Sequence, residues 1–384
     1  MAVSVLALAL GLPAGASAAP VPDRVVAEVS EPLGVGISGP VLAYSRRVGT
    51  GGVQIVVHDG DAPAKRLSAG RGTGPVDVGR DRRGRPVVGY ERCGGRCDLV
   101  AFSPSERRSR VAVRGVRALD VTIGRGRIYW ADGRTVRSRS LVGGPVRREA
   151  VARGVSAVEI DTDGRTLAVV GDGPSDIGNG SSALSVTRPG SGRARLRGER
   201  AYGEEYAELR GPVVTRSGVT TLFDEVTAGV AYGFADFRAG GRGLQERTSG
   251  GMGIAEWDAD DRAMALVEAP SEGGCMVGDT EADDVALEAP CRIVLARSGG
   301  ERLLPPRISI SRNVATVLQT TLRAGTVTGR RPLAGVAVQF RRGGEVRARL
   351  MTDAQGRVML PPTQGEGLAV VAETTPRSYA YLAG

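Results

Sequence analysis

The stretch Asp161-Thr-Asp-Gly-Arg-Thr-Leu-Ala-Val-Val170 is the clearest indication of the fold, because it joins a polar turn to a short apolar strand. Asp and Gly favour tight turns, and the Leu, Ala and Val that follow fit a half-buried strand. Similar turn-strand pairs recur along the chain, and a loop and a second apolar strand follow each of them. The lead residues are Gly39, Gly84, Gly126, Gly164, Gly218 and Asp261, at spacings of 45, 42, 38, 54 and 43 residues.

Repeats of this length are typical of propeller blades made of four short strands. A lone unit cannot bury both of its faces, but a ring of units can. The 57 glycines and 21 prolines in 384 residues also favour many turns over long helices. We therefore predict an all-β chain with a β-propeller of about six blades, five to seven being compatible, over residues 24–304. Residues 23–29 are predicted to add a closing strand to the last blade. A stack of β-sandwich domains is the alternative.

The segment Asp161-Thr-Asp-Gly-Arg-Thr-Leu-Ala168 resembles the turn-strand motif of TolB-type, WD40-like propellers. The segment Arg92-Cys-Gly-Gly-Arg-Cys-Asp-Leu99 resembles a disulfide-clipped blade of exported actinobacterial propeller proteins. The resemblance covers about residues 24–304. It implies the fold and not an activity, because propellers host both binding and catalysis.

A different pattern follows Pro305-Pro306, which we take as a domain boundary. The segment Ala315–Arg323 alternates in polarity, Pro332–Phe340 and Thr352–Val358 follow it, and Asp353 and Gly356 supply a turn between strands. This pattern resembles bacterial Ig-like and carboxypeptidase-regulatory-like domains. The resemblance implies a β-sandwich over residues 307–384, a module that usually acts as a spacer or adhesive unit.

The four cysteines form two local pairs, Cys93/Cys97 and Cys275/Cys291. An even number of cysteines fits disulfides in an exported protein. The flexible spacer of the first pair suits a short hairpin disulfide. A metal site would need further ligands, and a redox pair would more typically have the spacing CxxC.

The N-terminal residues predict export. Val3–Leu12 is an apolar run, and Ala16-Ser-Ala18 fits a cleavage site, so residues 1–18 are expected to be a signal peptide. The first basic residue is Arg24, which suggests a start codon further upstream. No later apolar run is long enough for a transmembrane helix. We expect a secreted, monomeric protein without a membrane span.

The chain is basic, with a net charge of +9, and Lys65 is its single lysine. Such a charge suits a polyanionic partner. No aromatic residues interleave with the arginines, and no zinc-finger or helix-turn-helix pattern occurs, so a nucleic acid is not expected as the partner.

No catalytic residue is predicted. The single histidine, His58, excludes a site with two histidine ligands, and we expect it to be exposed at an Asp-Gly turn. No G-x-S-x-G nucleophile elbow and no phosphate-binding glycine loop occurs.

Acidic loops are the remaining candidates for a binding site. The candidate ligand-binding residues are Asp172, Asp176, Asp279, Asp283 and Asp284. Asp258, Asp260 and Asp261 form a D-x-D-D cluster that offers oxygen ligands, so they are weak candidates for calcium. No other cofactor is expected.

Together these features predict a secreted, non-catalytic binding protein. Its partner would be a cell-envelope polymer or an exported protein, held at the propeller mouth or on its loops. The alternative is an exported glycan-active hydrolase or lyase that uses paired carboxylates.

Overall fold

A computed structural model describes most of the chain, and all of its regular secondary structure is β-strand. The described residues are 24–174, 181–201, 206–216, 218–227, 229–238, 245–247, 254–261, 263–268, 290–296, 301–303, 307–311, 314–323, 326–342, 345–359, 368–373 and 378–382. Within these ranges no helix is long and apolar enough to cross a membrane.

The strands up to residue 296 fall into six groups of four antiparallel strands, which we call units and number in chain order. Units 1 and 2 are joined into one eight-stranded sheet by a parallel pairing of Gly70 with Cys93. Unit 1 contains β2 (Pro32–Ser38), β3 (Val41–Val48), β4 (Gly52–Asp59) and β5 (Lys65–Gly70). Unit 2 contains β6 (Val76–Arg80), β7 (Pro86–Gly94), β8 (Arg96–Ser103) and β9 (Arg108–Arg114). Unit 3 contains β10 (Asp120–Gly124), β11 (Arg127–Ala131), β12 (Val136–Ser140) and β13 (Arg147–Arg148).

The other three units repeat this order. Unit 4 contains β14 (Glu159–Thr162), β15 (Leu167–Asp172), β16 (Ser181–Thr187) and β17 (Ala194–Ala201). Unit 5 contains β18 (Tyr206–Thr215), β19 (Gly218–Thr227), β20 (Gly229–Arg238) and β21 (Gln245–Arg247). Unit 6 contains β22 (Ile254–Ala259), β23 (Met264–Glu268), β24 (Cys291–Ala296) and, as its outermost strand, β1 (Arg24–Val29).

The first strands of the units pack side by side in a ring. Strand β2 contacts β6, β6 contacts β10, and the series continues through β14, β18 and β22 back to β2. Each interface between adjacent units buries its own apolar cluster. Unit 6 meets unit 1, for example, through a cluster that includes Ile37, Leu42, Ala265 and Ile293. The ring therefore supplies each unit with the second apolar face that it lacks alone.

Strand β1 ties the start of the chain to unit 6. Arg24 lies opposite Leu295, and Val29 lies opposite Cys291. The predicted closing strand is thus confirmed over Arg24–Val29. Its pairing removes the free edge of β24 from solvent, which also protects that edge from pairing with another chain.

The sequence repeat and the structural units differ in phase. The lead strands seen in the sequence are β3, β7, β11, β15, β19 and β23, and each is the second strand of its unit. The innermost strands escape the pattern because Asp and Gly interrupt their apolar residues, as in Val76-Asp-Val-Gly-Arg80. Gly79 shows why: a Cβ at this position would collide with the carbonyl oxygen of Ile123 on the neighbouring inner strand.

The remaining strands form two further sheets. Their strands are β25 (Glu301–Leu303), β26 (Arg307–Ser311), β27 (Val314–Arg323), β28 (Thr326–Pro332), β29 (Ala337–Arg342), β30 (Glu345–Met351), β31 (Arg357–Met359), β32 (Leu368–Ala372) and β33 (Ser378–Leu382). One sheet contains β25–β28 and β31, and the other contains β29, β30, β32 and β33. Val317 and Val358 of the first sheet pack against Phe340 and Val370 of the second. Strand β25 precedes Pro305-Pro306 in the chain and pairs with β27.

Candidate functional site

The inner strands enclose a central cavity with two chemically different ends. The wider end holds a cavity of about 690 Å³. It is surrounded by the turns that connect the first and second strands of the units, and we call it the arginine mouth. Five arginines line it, together with seven aspartates: Arg80, Arg82, Arg125, Arg165 and Arg216, and Asp77, Asp81, Asp161, Asp163, Asp258, Asp260 and Asp261. The narrower end holds about 140 Å³ and is lined by Asp120, Glu159 and Glu256, so we call it the carboxylate end.

Three aspartates separate the two ends. Asp77, Asp161 and Asp258 line both cavities and lie on the inner strands of units 2, 4 and 6. Each accepts a hydrogen bond from a backbone N–H of the next unit. The donors are Ile123 N to Asp77 Oδ2 at 2.7 Å, Val214 N to Asp161 Oδ2 at 2.5 Å, and Ile37 N to Asp258 Oδ2 at 2.6 Å. Every second unit therefore holds its neighbour through a carboxylate.

Two more carboxylates make the same kind of link. Asp120 Oδ2 accepts the N–H of Ile160 at 2.7 Å, which joins units 3 and 4. Glu159 accepts the N–H of Gly211, which joins units 4 and 5. These oxygens satisfy backbone donors that no ladder partner reaches, because inner strands of adjacent units pack without forming a common sheet.

Burial and mutual repulsion raise the pKa values of this group. Burial, opposed by hydrogen bonds from Ile123 and Thr122, raises the pKa of Asp77 to about 6. Burial and the nearby charge of Asp77 raise the pKa of Asp161 to about 8. Burial, together with the charges of Asp77 and Asp161, raises the pKa of Asp258 well above its usual value. Burial and mutual repulsion therefore disfavour the state in which all three carboxyls are charged.

The arginine mouth combines paired and unpaired guanidinium groups. Arg216 Nε lies 2.8 Å from Asp261 Oδ2, and Arg80 lies 3.8 Å from Asp260 Oδ2. Arg82, Arg125 and Arg165 are exposed. Over the described ranges, none of these three has an ion pair or a side-chain hydrogen bond. Their charges are thus available to a ligand.

Neighbouring turns fix the stems of two of these arginines. The stem of Arg82 packs on Gly126 of the next unit, where a Cβ would lie 2.6 Å from Arg82 Cγ. The stem of Arg125 packs in the same way on Gly164. In addition, Gly126 N donates to the carbonyl oxygen of Arg80 at 2.9 Å. The arginine mouth is therefore a repeated arrangement, in which an arginine of one unit lies over a turn glycine of the next.

The backbone of Arg125 is strained. Arg125 and Gly126 are the two central residues of the hairpin between β10 and β11, with φ of +47° and +76°. Such turns prefer Asn-Gly, and the left-handed conformation costs a non-glycine residue roughly 1 kcal/mol. An arginine here is not explained by the needs of the turn. Strain of this kind points to a functional constraint.

The carboxylate end is smaller, and no arginine is among its described lining residues. Burial and the charges of Glu159 and Glu256 raise the pKa of Asp120 well above its usual value. Burial also raises the pKa of Glu256, against the effect of Arg210. Leu33, Leu119 and Trp257 contribute apolar surface beside them. Trp257 Nε1 donates to the carbonyl oxygen of Gly211 at 2.8 Å, so its polar atom is used within the fold.

The structure disperses the oxygens of the predicted calcium cluster. Asp258 faces Ile37 as described, whereas Asp260 Oδ2 accepts the N–H of Gly39 at 2.5 Å. Asp261 Oδ1 accepts the N–H of Arg216 at 2.9 Å. All three residues therefore contact the backbone of a neighbouring unit. Calcium binding by them stays a prediction.

The predicted loop ligands fall in different places. Asp172 is exposed at the end of β15, where its carboxylate accepts a hydrogen bond from Ser156 Oγ at 3.1 Å. It lines neither end of the central cavity. Asp176, Asp279, Asp283 and Asp284 lie outside the described residues.

The cysteines behave as structural residues. Cys93 and Cys97 form a disulfide that closes the hairpin between β7 and β8. Cys291 is disulfide-bonded as well, and Cys275 lies outside the described residues. In the part of the chain that the structure describes, the one group of three metal-ligand side chains within 4.8 Å is Glu91, Cys93 and Cys97. Because its two sulfurs are joined to each other, this group does not offer a thiolate site.

The expectation that His58 is exposed at a turn is wrong. His58 lies within β4, half-buried, and its ring stacks on Tyr44 with a centroid distance of 6.0 Å. Burial and the nearby charge of Arg24 lower its pKa. The strand extends to Asp59, so the turn begins later than the sequence suggests.

Sequence reasoning named Asp258, Asp260 and Asp261, which line the mouth, but missed its arginines and the other central aspartates. The unpaired arginines stand beside the repeat glycines, as Arg125-Gly126 and Gly164-Arg165 show. Because nearly all basic residues of the chain are arginines, the position of an arginine beside a repeat glycine does not mark it as a binding residue. The central aspartates Asp77, Asp161 and Asp258 share only a position shortly before a polar turn. Only the position of each innermost strand within its unit shows that these three aspartates lie close together.

No family model matches the chain, and no curated protein sequence matches it. Among solved structures, TolB from Acinetobacter baumannii is similar at 13% identity and a TM-score of 0.42, covering 82% of this chain and 68% of that one. The β-propeller domain of the Trilobed protease from Pyrococcus furiosus, described as having an open velcro topology, is similar at 8% identity and a TM-score of 0.41, covering 84% and 96%.

The acylaminoacyl peptidase from Pyrococcus horikoshii is similar at 9% identity and a TM-score of 0.39, covering 76% of this chain. The match spans 57% of the peptidase. At these identities and scores the likenesses carry no function over to this chain. The chain's own strand pairing and ring of inner strands make the architecture all-β and propeller-like.

Proposed function

We propose that this chain is an exported, non-catalytic binding protein that recognises an anionic component of the cell envelope at the arginine mouth. In this proposal the six units are the blades of a propeller. The two C-terminal sheets form an Ig-like β-sandwich that acts as a spacer. The observation that carries the proposal is the set of three exposed, unpaired arginines around a cavity of about 690 Å³.

The chemistry of the mouth favours an anionic ligand. A guanidinium group presents several N–H donors in a fixed plane and binds carboxylates and phosphates through paired hydrogen bonds. The stems of Arg82 and Arg125 are already positioned by Gly126 and Gly164, so less conformational freedom is lost when a ligand binds.

The central carboxylates favour binding over hydrolysis. Asp77, Asp161 and Asp258 each direct an oxygen at a backbone N–H of the next unit. A general acid or nucleophile needs its oxygen free to reach the substrate. These contacts therefore support a structural role for the three aspartates and weigh against a glycan hydrolase that would use them.

Co-sedimentation with purified cell-envelope sacculi tests the proposal. The test variant combines Arg82→Gln, Arg125→Gln and Arg165→Gln. The control variant combines Arg96→Gln, Arg114→Gln and Arg188→Gln, which remove the same charge from exposed positions outside the mouth. We expect the wild type and the control to pellet and the test variant to stay in solution. Equal pelleting of both variants, or no pelleting of the wild type, would contradict the proposal.

A further inference from the structure

We infer that the ligand of the arginine mouth is an extended polyanion, which continues from the mouth into a groove between units 2 and 3. This inference rests on the proposed function and specifies its ligand. The polyanion is a flexible chain of repeating carboxylate or phosphate groups. The mouth holds one part of the chain, and the groove holds the next.

The groove is continuous with the mouth. It has a volume of about 560 Å³ and shares Asp81 and Arg82 with the lining of the mouth. Its floor is apolar and includes Val87, Ala101 and Leu141. Val142, at its outer side, is 76% exposed. A chain that leaves the mouth past Arg82 therefore enters a surface depression and not a flat face.

The rim of the groove is basic. Arg83, Arg108 and Arg110 line it and are exposed, and within the described ranges none of them has an ion pair. The two acidic residues of the groove share one guanidinium group. Arg85 lies 2.9 Å from Asp81 Oδ2 and 2.7 Å from Glu106 Oε1. The groove therefore offers net positive charge to a ligand.

The size and charge distribution favour a polymer over a small ion. The two cavities together far exceed the volume of a single phosphate or carboxylate group, which is comparable to a few water molecules. Six unpaired arginines are distributed between mouth and groove, so a chain with repeated charges can contact several of them at once. Each added contact then becomes intramolecular, which increases the affinity for longer chains.

The lining argues against a nucleic acid as the occupant. Proteins that bind single strands usually stack bases on aromatic side chains. Neither the described lining of the mouth nor that of the groove contains a Phe, Tyr, Trp or His residue. A polyanion without bases fits this surface better.

Titrations with defined oligomers test the inference. The probes are oligogalacturonides and linear polyphosphates, each at about three and about twelve repeat units. Neutral maltooligosaccharides and a single-stranded oligonucleotide of similar charge serve as comparisons. The groove variant combines Arg83→Gln, Arg108→Gln and Arg110→Gln, and the mouth and control variants are those described above. Thermal unfolding curves show whether each variant is folded.

We expect the wild type to bind the longer oligomers at least about tenfold more tightly than the shorter ones. The groove variant should lose this length dependence while it still binds short oligomers. The mouth variant should lose binding of both lengths. A strong difference in affinity between the oligogalacturonides and the polyphosphates would identify the bound group as carboxylate or phosphate.

Two results separate the inference from the proposed function. If the groove variant keeps the full length dependence and the mouth variant still loses binding, the extended path is wrong but the arginine mouth stands. If the folded mouth variant binds all probes as the wild type does, the proposed function is wrong as well. Binding of the oligonucleotide more tightly than both anionic oligomers would overturn the assignment of the ligand class.

Discussion

The two ends of the central cavity are built from the same inner strands, but arginines line only the wider one. At the carboxylate end, Asp120 and Glu159 accept hydrogen bonds from backbone N–H groups of the next unit, so their oxygens hold adjacent units together. At the arginine mouth, Arg82, Arg125 and Arg165 are exposed and make no ion pair within the described ranges. Carboxylates near the axis therefore serve the fold, whereas three arginines of the wider end remain available for a ligand.

Charge reversal at the arginine mouth should have the largest effect. The combined change Arg82→Glu, Arg125→Glu and Arg165→Glu should weaken binding of a long oligogalacturonide by about 100-fold or more, because three charge-assisted contacts become repulsive. Isothermal titration calorimetry measures this change. Glu256→Gln at the carboxylate end should leave the affinity within about twofold of the wild type. A comparable loss of affinity in Glu256→Gln would show that the two ends of the cavity do not differ in ligand binding.

Truncation of a central carboxylate should destabilise the ring. Asp258→Ala leaves the N–H of Ile37 without its acceptor in a buried position, which should cost about 1–3 kcal/mol in the free energy of unfolding. Asp172→Ala removes an exposed carboxylate and should change the free energy by less than about 0.5 kcal/mol. Urea denaturation curves compare the two variants. Equal effects would show that the central aspartates do not hold the units together.

The central aspartates should also make stability depend on pH. The pKa of Asp161, raised to about 8, lies above the value of about 3.9 for aspartate in an unfolded chain, so the folded state retains protons that the unfolded state releases. Their contribution to stability is fully present below pH 4 and is lost as the pH rises toward 8. The free energy of unfolding should therefore fall between pH 5 and pH 8, by about 1.4 kcal/mol per pH unit for each carboxyl that stays protonated in the folded state.

Asp161→Asn identifies the source of this pH dependence. The amide keeps a carbonyl oxygen for Val214 N–H and carries no charge, so the fall in stability between pH 5 and pH 8 should become smaller. Asp172→Asn is the exposed control and should keep the wild-type slope. A slope unchanged in the Asp161 variant would mean that repulsion among the central carboxyls does not govern the response.

The smallest predicted effect concerns the strained turn. Arg125→Asn suits the left-handed backbone at this position, so it should raise the free energy of unfolding by up to about 1 kcal/mol. The same change should weaken binding of short oligogalacturonides, because it removes one of three unpaired arginines. Thermal unfolding and calorimetry measure the two quantities in parallel. A variant that is neither more stable nor weaker in binding would leave Arg125 without a functional reason.

The sequence predicted the architecture better than the site. Glycine and aspartate turns followed by short apolar strands are local signals, so β3 or β15 could be recognised without any neighbour. Strand β1 was also predicted, because a strand at the start of the chain that belongs to no other unit can complete the last unit of the ring. The innermost strands were missed because their packing uses Gly79 and Asp77 in place of a run of apolar residues.

The residues of the site could not be assigned from local patterns. Asp258, Asp260 and Asp261 looked like calcium ligands because three carboxylates lie close in sequence. In the structure their oxygens face donors more than 40 residues away, on Ile37, Gly39 and Arg216. Whether Arg82 or Arg125 faces the cavity depends likewise on how neighbouring units pack, which a single sequence does not state.

Hydrogen exchange with and without a long oligogalacturonide tests directly whether the ligand binds at the arginine mouth. The exchange of backbone N–H groups would be followed by mass spectrometry along the whole chain. We expect the ligand to slow exchange in the turns at residues 81–85, 125–127 and 163–166 and to leave residues 73–75 and 119–121 unchanged. Slower exchange at residues 73–75 and 119–121, with none in the arginine turns, would contradict this expectation.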